Sequence, residues 1–266
     1  MMKHPKKDAA KLLVPTAAEQ ARKREPKILI LDIELSPNLV WSYDLWNTNI
    51  PPERIVEPSR MLCFAAKWAH EKRVQYFAEH EIGYGNMVAA ARDLLDEADI
   101  LVTYNGISFD EKHLMRSILE EGLLPPSPCK SVDLYRTIRN NFKFPSNRLG
   151  QIGERLGIGA KVETGGWSFW EAVLAGDEKA LRLMKKYCCG DVILTSDLLV
   201  ALGPWVKGLP HRGVFTGNME GCYACGSGNL ERDGMAYTSV TVYPRFLCND
   251  CGAWNKVLRN GQTRAV

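Results

Sequence analysis

The sequence predicts an α/β domain followed by a small cysteine-rich appendage, and three observations carry that prediction. KILILDIELSP (27–37) and DILVTY (99–104) are apolar runs with the length of buried strands. EKALRLMKKYCCGDVILTSDLLVAL (178–202) holds the 3.6-residue spacing of a long helix. Near the C-terminus, Cys222-Tyr-Ala-Cys225-Gly is matched by Cys248-Asn-Asp-Cys251-Gly.

A chain of 266 residues, 45% hydrophobic and 24% charged, is sized for one good core and a small extra unit. No segment approaches the ~20 apolar residues of a membrane span. The N-terminus is basic but lacks a secretory apolar core of ~7–15 residues, so the cytoplasm is the expected location. Charge is divided along the chain. Residues 1–27 hold eight Lys/Arg against three Asp/Glu, residues 28–210 twenty against twenty-four, and residues 211–266 six against four. The division suggests a basic tail (1–26), a main domain (27–210) and a C-terminal unit (211–266). The tail either attracts nucleic acid electrostatically or is a solvated arm without a role.

In the first strand, alternation puts Ile28, Ile30, Asp32 and Glu34 on one face and Leu29, Leu31, Ile33 and Leu35 on the other. The two acids then lie about 7 Å apart along the strand, at a rise of ~3.3 Å per residue. Two unpaired carboxylates so placed repel each other and lose hydration unless a cation sits between them. Either a divalent metal accounts for the pair or the strand simply ends at the surface.

Ile100–Tyr104 form a second buried strand, broken by Asn105-Gly106. Ser108 then opens a helix, with Glu111 at capping-box spacing. Asp110 falls in its first turn, where the helix dipole favours an acid, with or without further purpose. In the long helix the apolar stripe is Ala180, Leu183, Met184, Tyr187, Leu194 and Leu198, and Asp191 lies on it. An acid on a core-facing stripe is costly unless it is paired, and a satisfied Asp–Tyr pair is the structural alternative to a functional one. Gly190 beside it is a weak helix former that would permit close approach.

The two Cys-x-x-Cys-Gly knuckles are 22 residues apart. A two-residue gap lets both thiolates face one tetrahedral ion, and Gly226 and Gly252 take the positive φ of the turn. AYTSVTVYPRFL between them has the make-up of a strand. A unit of ~50 residues is too small to hold on a core alone, so one structural Zn²⁺ is expected on Cys222, Cys225, Cys248 and Cys251. Redox dithiols fit two matched knuckles less well. The other cysteines, Cys63, Cys129, Cys188 and Cys189, read as small apolar residues. Arg232, Arg245, Lys256 and Arg259, with Tyr237, Tyr243, Phe246 and Trp254, suggest a nucleic-acid surface of cations and stacking rings. A four-thiolate zinc site carries −2, however, and cancels the segment's charge, so a structural or protein-docking role stands equally.

Asp32, Glu34, Asp110 and Asp191 are distant in sequence, and together they suit two Mg²⁺ (or Mn²⁺) ions that activate a water at a phosphodiester. With Asp32-Ile-Glu34, Asn105 to Phe109-Asp110, and Tyr187 to Asp191, the sequence resembles the DnaQ-like 3′–5′ exonucleases of the DEDDy group, on the ribonuclease H-like fold. ETGGWSFWEAVLAGDEKALRLMKKYCCGDV and DIELSPNLVWSYDLWNTNI are similar to phage and bacterial members, and the likeness covers residues 27–205; if phage-encoded, the chain would act in the host's cytoplasm. The sister group carries a histidine before its last acid. No histidine lies between His113 and His211, which favours the tyrosine form.

The resemblance implies that Asp32, Glu34 and Asp191 hold one metal, that Asp32 bridges to a second supported by Asp110, and that Tyr187 orients the attacking water. Asp133 resembles a recurrent acidic position. Leu35, Asn105 and Phe109 would meet the terminal nucleotide, with Leu35 and Trp41 either wedging or stacking on its base or packing in the ordinary way. The implied fold is a mixed five-stranded sheet with helices on both faces, with strands near 28–34, 39–44, 61–69, 73–79 and 100–104, the first central, and LGQIGERLGI (149–158) as a flanking helix. The implied reaction is hydrolysis from the 3′ end of single-stranded nucleic acid, DNA favoured, releasing nucleoside 5′-monophosphates. Such an enzyme would act in replication or repair, with any polymerase served in trans. An exoribonuclease, or a non-catalytic nucleic-acid or polymerase-binding adaptor on the same fold, is the alternative. The family does not generally carry the ribbon, whose role therefore is not inherited.

Overall fold

The computed structural model describes residues 24–46 and 49–266, so most of the basic tail lies outside the described residues. The chain forms two units, one of residues 27–209 and one that includes residues 210–266.

In the larger unit the strands are β1 (Ile28–Leu35), β2 (Leu39–Val40), β3 (Ile55–Glu57), β4 (Met61–Trp68), β5 (Gln75–Ala78), β6 (Ile100–Thr103) and β7 (Lys130–Asp133). Helices of seven or more residues are α1 (Tyr84–Glu97), α2 (Asp110–Glu120), α3 (Leu134–Asn141), α4 (Leu149–Arg155), α5 (Trp167–Leu174) and α6 (Glu178–Leu202). Five strands make one mixed sheet in the order β5-β4-β1-β6-β7. β1 runs antiparallel to β4 and parallel to β6, which is parallel to β7.

The fifth strand differs from the sequence expectation. Segment 39–44 supplies only β2, which pairs with β3 in a separate ribbon, and β7 completes the main sheet. The reason is exposure: Trp41 (74%), Tyr43 (92%), Leu45 and Trp46 face solvent, so this apolar run has no core to bury against. β7 (KSVD) has a single buried aliphatic, Val132, and is a strand because β6 offers it a parallel edge.

The alternation in β1 decides which face holds what. Leu29, Leu31 and Ile33 lie opposite Trp68, Ala66 and Phe64 of β4, and all six join the core under α1 and α2. Each fully buried aliphatic there contributes about 1.5–3 kcal/mol. Ile30, Asp32 and Glu34 therefore face the other way, toward α6, whose Cys188 thiol donates to the Asp32 carbonyl at 3.7 Å. Ser196 of α6 accepts from the Lys67 ammonium of β4 at 3.0 Å, fixing the helix across the sheet. By length and composition Glu178–Trp205 would suit a membrane span, contrary to the expectation from hydropathy. Its packing on β1 and β4, with Asp191 buried in it, is that of a core helix.

The smaller unit is a four-stranded antiparallel sheet, β8 (Leu230–Tyr237), β9 (Val242–Cys248), β10 (Trp254–Val257) and β11 (Thr263–Ala265), in the order β11-β10-β9-β8. The stretch between the knuckles thus makes a hairpin rather than one strand.

Candidate active site

β1, β6 and β7 are mutually parallel, and their C-terminal ends form one edge, where open α/β sheets place their ligands. Asp32 and Glu34 leave β1 at that edge. Their side chains converge, so that carboxylate oxygens of both and the Cys188 thiol all lie within 4.8 Å of one another. Ladder pairing of β1 with β6 runs from Ile28 to Ile30. Beyond it the Ile33 N–H donates to Asp110 Oδ1 at 3.2 Å, which docks the first residue of α2 between the two β1 acids.

The turn that brings Asp110 there is built by Asn105-Gly106. Asn105 has φ +67°, and a Cβ on Gly106 would lie 2.4 Å from Thr103 Cβ and Oγ1, so glycine is required. The helix begins at Asp110 rather than Ser108, and the expected capping box is not formed. Ser108 Oγ instead donates to Asn105, and Glu111 accepts from the Ser131 hydroxyl at 2.8 Å. Gly190 is not needed for close approach: an added Cβ would meet Val162 Cγ2 at an ordinary 3.5 Å.

Asp191 arrives from α6 at 3% exposure. Its Oδ2 accepts from the Lys161 ammonium at 2.5 Å, while Oδ1 is buried without a hydrogen-bond partner. Lys161 also donates to the Tyr187 hydroxyl at 3.0 Å and lies 4.7 Å from that ring's centre. The satisfied Asp–Tyr pair considered above is therefore a Lys161-bridged triad, with one carboxylate oxygen left over. Asp32, Asp191, Lys161, Tyr104 and Asn105 line a cleft of about 540 Å³.

Burial, followed by the charges of Glu34, Asp110 and Asp191, holds the Asp32 carboxyl well above the ordinary aspartate range. Glu34 is raised by burial and then by Cys63 and Asp191. Asp110 is pushed up to about 6 by burial, against the Ile33 N–H bond. Asp191 is raised by burial, opposed by Lys161. Burial raises the Tyr187 phenol as well, against the Lys161 hydrogen bond. Burial alone would lower the Lys161 pKa, and the Asp191 carboxylate and Tyr187 hydroxyl more than reverse it. Four acids with one internal cation are a hard-oxygen cluster short of positive charge, and the orphaned Asp191 oxygen is a free ligand. These residues fit divalent Mg²⁺ or Mn²⁺.

The other expected site residues lie as follows. Asn105 lines the cleft, Phe109 is 43% exposed against His113, and Leu35 packs at the edge of the core. Asp133 caps α3 through the Tyr135 N–H and takes the Asn105 N–H at 2.8 Å, so its visible work is to hold the turn. Cys63 and Cys188 are fully buried, Cys129 and Cys189 half-buried. Lys161 is the residue that sequence reasoning missed. It lies in a loop between α4 and α5, where no periodicity marks it, and only its contact with Asp191 reveals it.

In the smaller unit the four knuckle thiols lie within 4.8 Å of one another, with Cys222–Cys251 at 3.7 Å and Cys225–Cys248 at 3.6 Å. A tetrahedron with Zn–S bonds of ~2.3 Å has edges of ~3.8 Å, so the donor set fits zinc. Gly226 (φ +79°) and Gly252 (φ +75°) make the expected turns, each N–H donating to the carbonyl of the knuckle's first cysteine at 2.8 Å.

The RNase_H superfamily model matches residues 61–203, a span that holds Asp110, Tyr187 and Asp191 and begins after Asp32 and Glu34. Among solved structures, the family B DNA polymerase from the hyperthermophilic archaeon Pyrobaculum calidifontis is similar in fold, with a TM-score of 0.52 and 19% identity. The match covers 84% of this chain but 32% of the polymerase, and at that identity it speaks for the fold alone. None of the curated proteins matches the sequence.

Proposed function

The chain belongs to the RNase_H superfamily, and on that premise we propose that it is a metal-dependent 3′–5′ exonuclease acting on single-stranded nucleic acid, DNA favoured. Two observations support the reading: Asp32 and Glu34 converge within 4.8 Å while Asp110 and Asp191 lie near enough to act on their charge, and Asp191 keeps a buried oxygen without a hydrogen-bond partner. Asp32, Glu34 and Asp191 would hold one divalent ion, and Asp32 with Asp110 the second. Bound there, such ions supply a nucleophilic water at neutral pH and charge for the leaving oxygen.

The chain's own groups do the rest. Tyr187 keeps its proton, since burial raises its pKa, so it serves to orient the water rather than to act as a base. Lys161 fixes the hydroxyl and steadies Asp191. The Asn105 turn, pinned by Asp133, presents the mouth of the cleft, and Leu35, Asn105 and Phe109 are assigned to the terminal nucleotide. A non-catalytic adaptor has no use for a cluster of buried like charges, which lowers stability without serving binding. Zinc in the ribbon is structural on this reading.

The test is purified full-length protein with 5′-labelled single-stranded DNA and RNA, with and without Mg²⁺. A ladder shortening from the 3′ end in Mg²⁺ is expected. Equal degradation of strands blocked at the 3′ terminus would remove the directional assignment, and hydrolysis of RNA alone would name the exoribonuclease.

A further inference from the structure

The sheet of the smaller unit sorts its side chains by register. Lys256 of β10 pairs with Arg245 of β9 on one side and with Arg264 of β11 on the other. Opposed residues share a face, so three cations stand in a row across three neighbouring strands, over about 10 Å at ~4.8 Å per strand. Tyr243 and Trp254 lie on the same face by alternation, with Trp254 opposite Leu247. The Arg245 guanidinium sits 4.5 Å from the Trp254 ring centre, and the Lys256 ammonium 5.8 Å from that of Tyr243.

The opposite face carries Cys248, Asn255 and Thr263, all fully buried. Asn255 accepts from the Tyr223 N–H at 2.9 Å and donates to the Cys222 sulfur at 3.5 Å. The thiolate charge that offsets the segment's basicity is therefore behind the sheet and not on the cationic face. Two acids adjoin that face. Asp233 engages Arg245 through its carbonyl at 2.7 Å and its carboxylate at 3.5 Å, and Glu231 stands opposite Leu247. Among the described residues neither Lys256 nor Arg264 has a carboxylate partner. Like charges directly opposed across strands destabilise a sheet, and an anion laid along the row relieves them.

We propose that the face bearing Arg245, Lys256, Arg264, Tyr243 and Trp254 binds single-stranded nucleic acid. The cations meet consecutive phosphates and the rings stack on bases, which a duplex would keep hidden. This is a binding site additional to the acid cluster, and it does not depend on whether that cluster hydrolyses anything.

Binding is measured by fluorescence anisotropy on the full chain carrying Asp191→Asn, without added divalent ion, using oligothymidine and oligouridine over a salt series. The double variant Lys256→Gln/Arg264→Gln should weaken binding about ten-fold or more and reduce the salt slope by about 1.4, at ~0.7 per lost single-strand contact. Trp254→Ala should weaken binding about ten-fold and leave the slope unchanged. Arg232→Gln removes one charge, as Arg264→Gln does, but from the other face, where Arg232 lies opposite Phe246, and should leave affinity within about two-fold. Zinc content and melting temperature report folding, and Arg264→Gln alone is the milder variant. A preference for one oligonucleotide names DNA or RNA as the ligand. An unchanged slope in the double variant on both polymers, or an equal loss in Arg232→Gln and Arg264→Gln, overturns the proposal.

Discussion

Asp32→Asn and Asp191→Asn should both abolish hydrolysis yet move the stability of the metal-free protein in opposite directions. Asp191 is paired: Lys161, 32% exposed at its side chain, lies 2.5 Å from Oδ2. An amide oxygen keeps that hydrogen bond and relieves the burial of the Asp191 charge, but it leaves the half-buried Lys161 ammonium without the carboxylate that holds its pKa up. Hydrogen bonds to charged groups contribute ~1.5–3 kcal/mol and neutral ones ~0.5–1.5, so with solvent screening at Lys161 the loss is about 1 kcal/mol. Asp32 has no ion-pair partner among the described residues; Glu34, Asp110 and Asp191 act against its charge, and Lys161 offsets them only in part. The Asp32–Glu34 pair, within 4.8 Å, costs about 3 kcal/mol at an effective dielectric of ~20 before relaxation. Protonation and partial solvation remove most of that, so the amide gains about 1–2 kcal/mol. For a domain of this size ~1 kcal/mol corresponds to about 2–4 °C, giving a fall of roughly 2–4 °C for Asp191→Asn and a rise of roughly 2–8 °C for Asp32→Asn. The assay is thermal unfolding followed by circular dichroism, after divalent ions are removed under conditions that leave zinc in the ribbon. Saturating Mg²⁺ should then stabilise the wild type, by about 2.7 kcal/mol at a hundred-fold excess over Kd, and both variants much less. Shifts of the same sign without metal, or equal stabilisation of all three proteins by Mg²⁺, would refute the account of the cluster.

Lys161→Met removes the resident cation from Asp191 and the donor from Tyr187, so Mg²⁺ should bind more tightly in calorimetric titration while kcat falls about ten-fold or more; unchanged metal affinity contradicts that. Gly106→Ala should destabilise the larger unit by at least 1–3 kcal/mol, because its Cβ meets Thr103 at 2.4 Å, and an unchanged unfolding midpoint would contradict the turn geometry. Brief chelation followed by Mg²⁺ alone should restore hydrolysis, because the four-thiolate zinc is closed and the carboxylate site open. A chain ending at Pro210 should likewise still cut short strands, and loss of activity by such a chain, still folded, would mean that the C-terminal unit helps to build the active site.

What could be read from the sequence follows from the range of the interactions involved. The two faces of β1 and the whole of α6 were legible because alternation and 3.6-residue spacing are local signatures of burial, and Asp32, Glu34 and Asp191 stood out as acids within them. Both knuckles were legible to the residue, since their C-x-x-C-G spacing is local, and the fold brings all four thiols within 4.8 Å of one another. β7 was not, because Lys130-Ser-Val-Asp133 has no pattern of its own and is a strand only beside β6. The 39–44 run misled for the opposite reason: its rings imitate a buried strand but remain in solvent. Ser108 and Glu111 matched a capping box by spacing, and tertiary partners at Asn105 and Ser131 took their hydrogen bonds. Lys161 meets an acid 30 residues further on, and only the packed loop brings them together.

The most direct test of the central claim compares a linear and a circular single strand of the same DNA sequence, incubated with the full-length protein and Mg²⁺ and analysed for released nucleotides. Hydrolysis from a 3′ end by the Asp32–Glu34–Asp110–Asp191 cluster predicts nucleoside 5′-monophosphates from the linear strand, none from the circle, and none from either without a divalent ion. Cleavage of the circle at the rate of the linear strand, or hydrolysis that persists in Asp191→Asn, would contradict it.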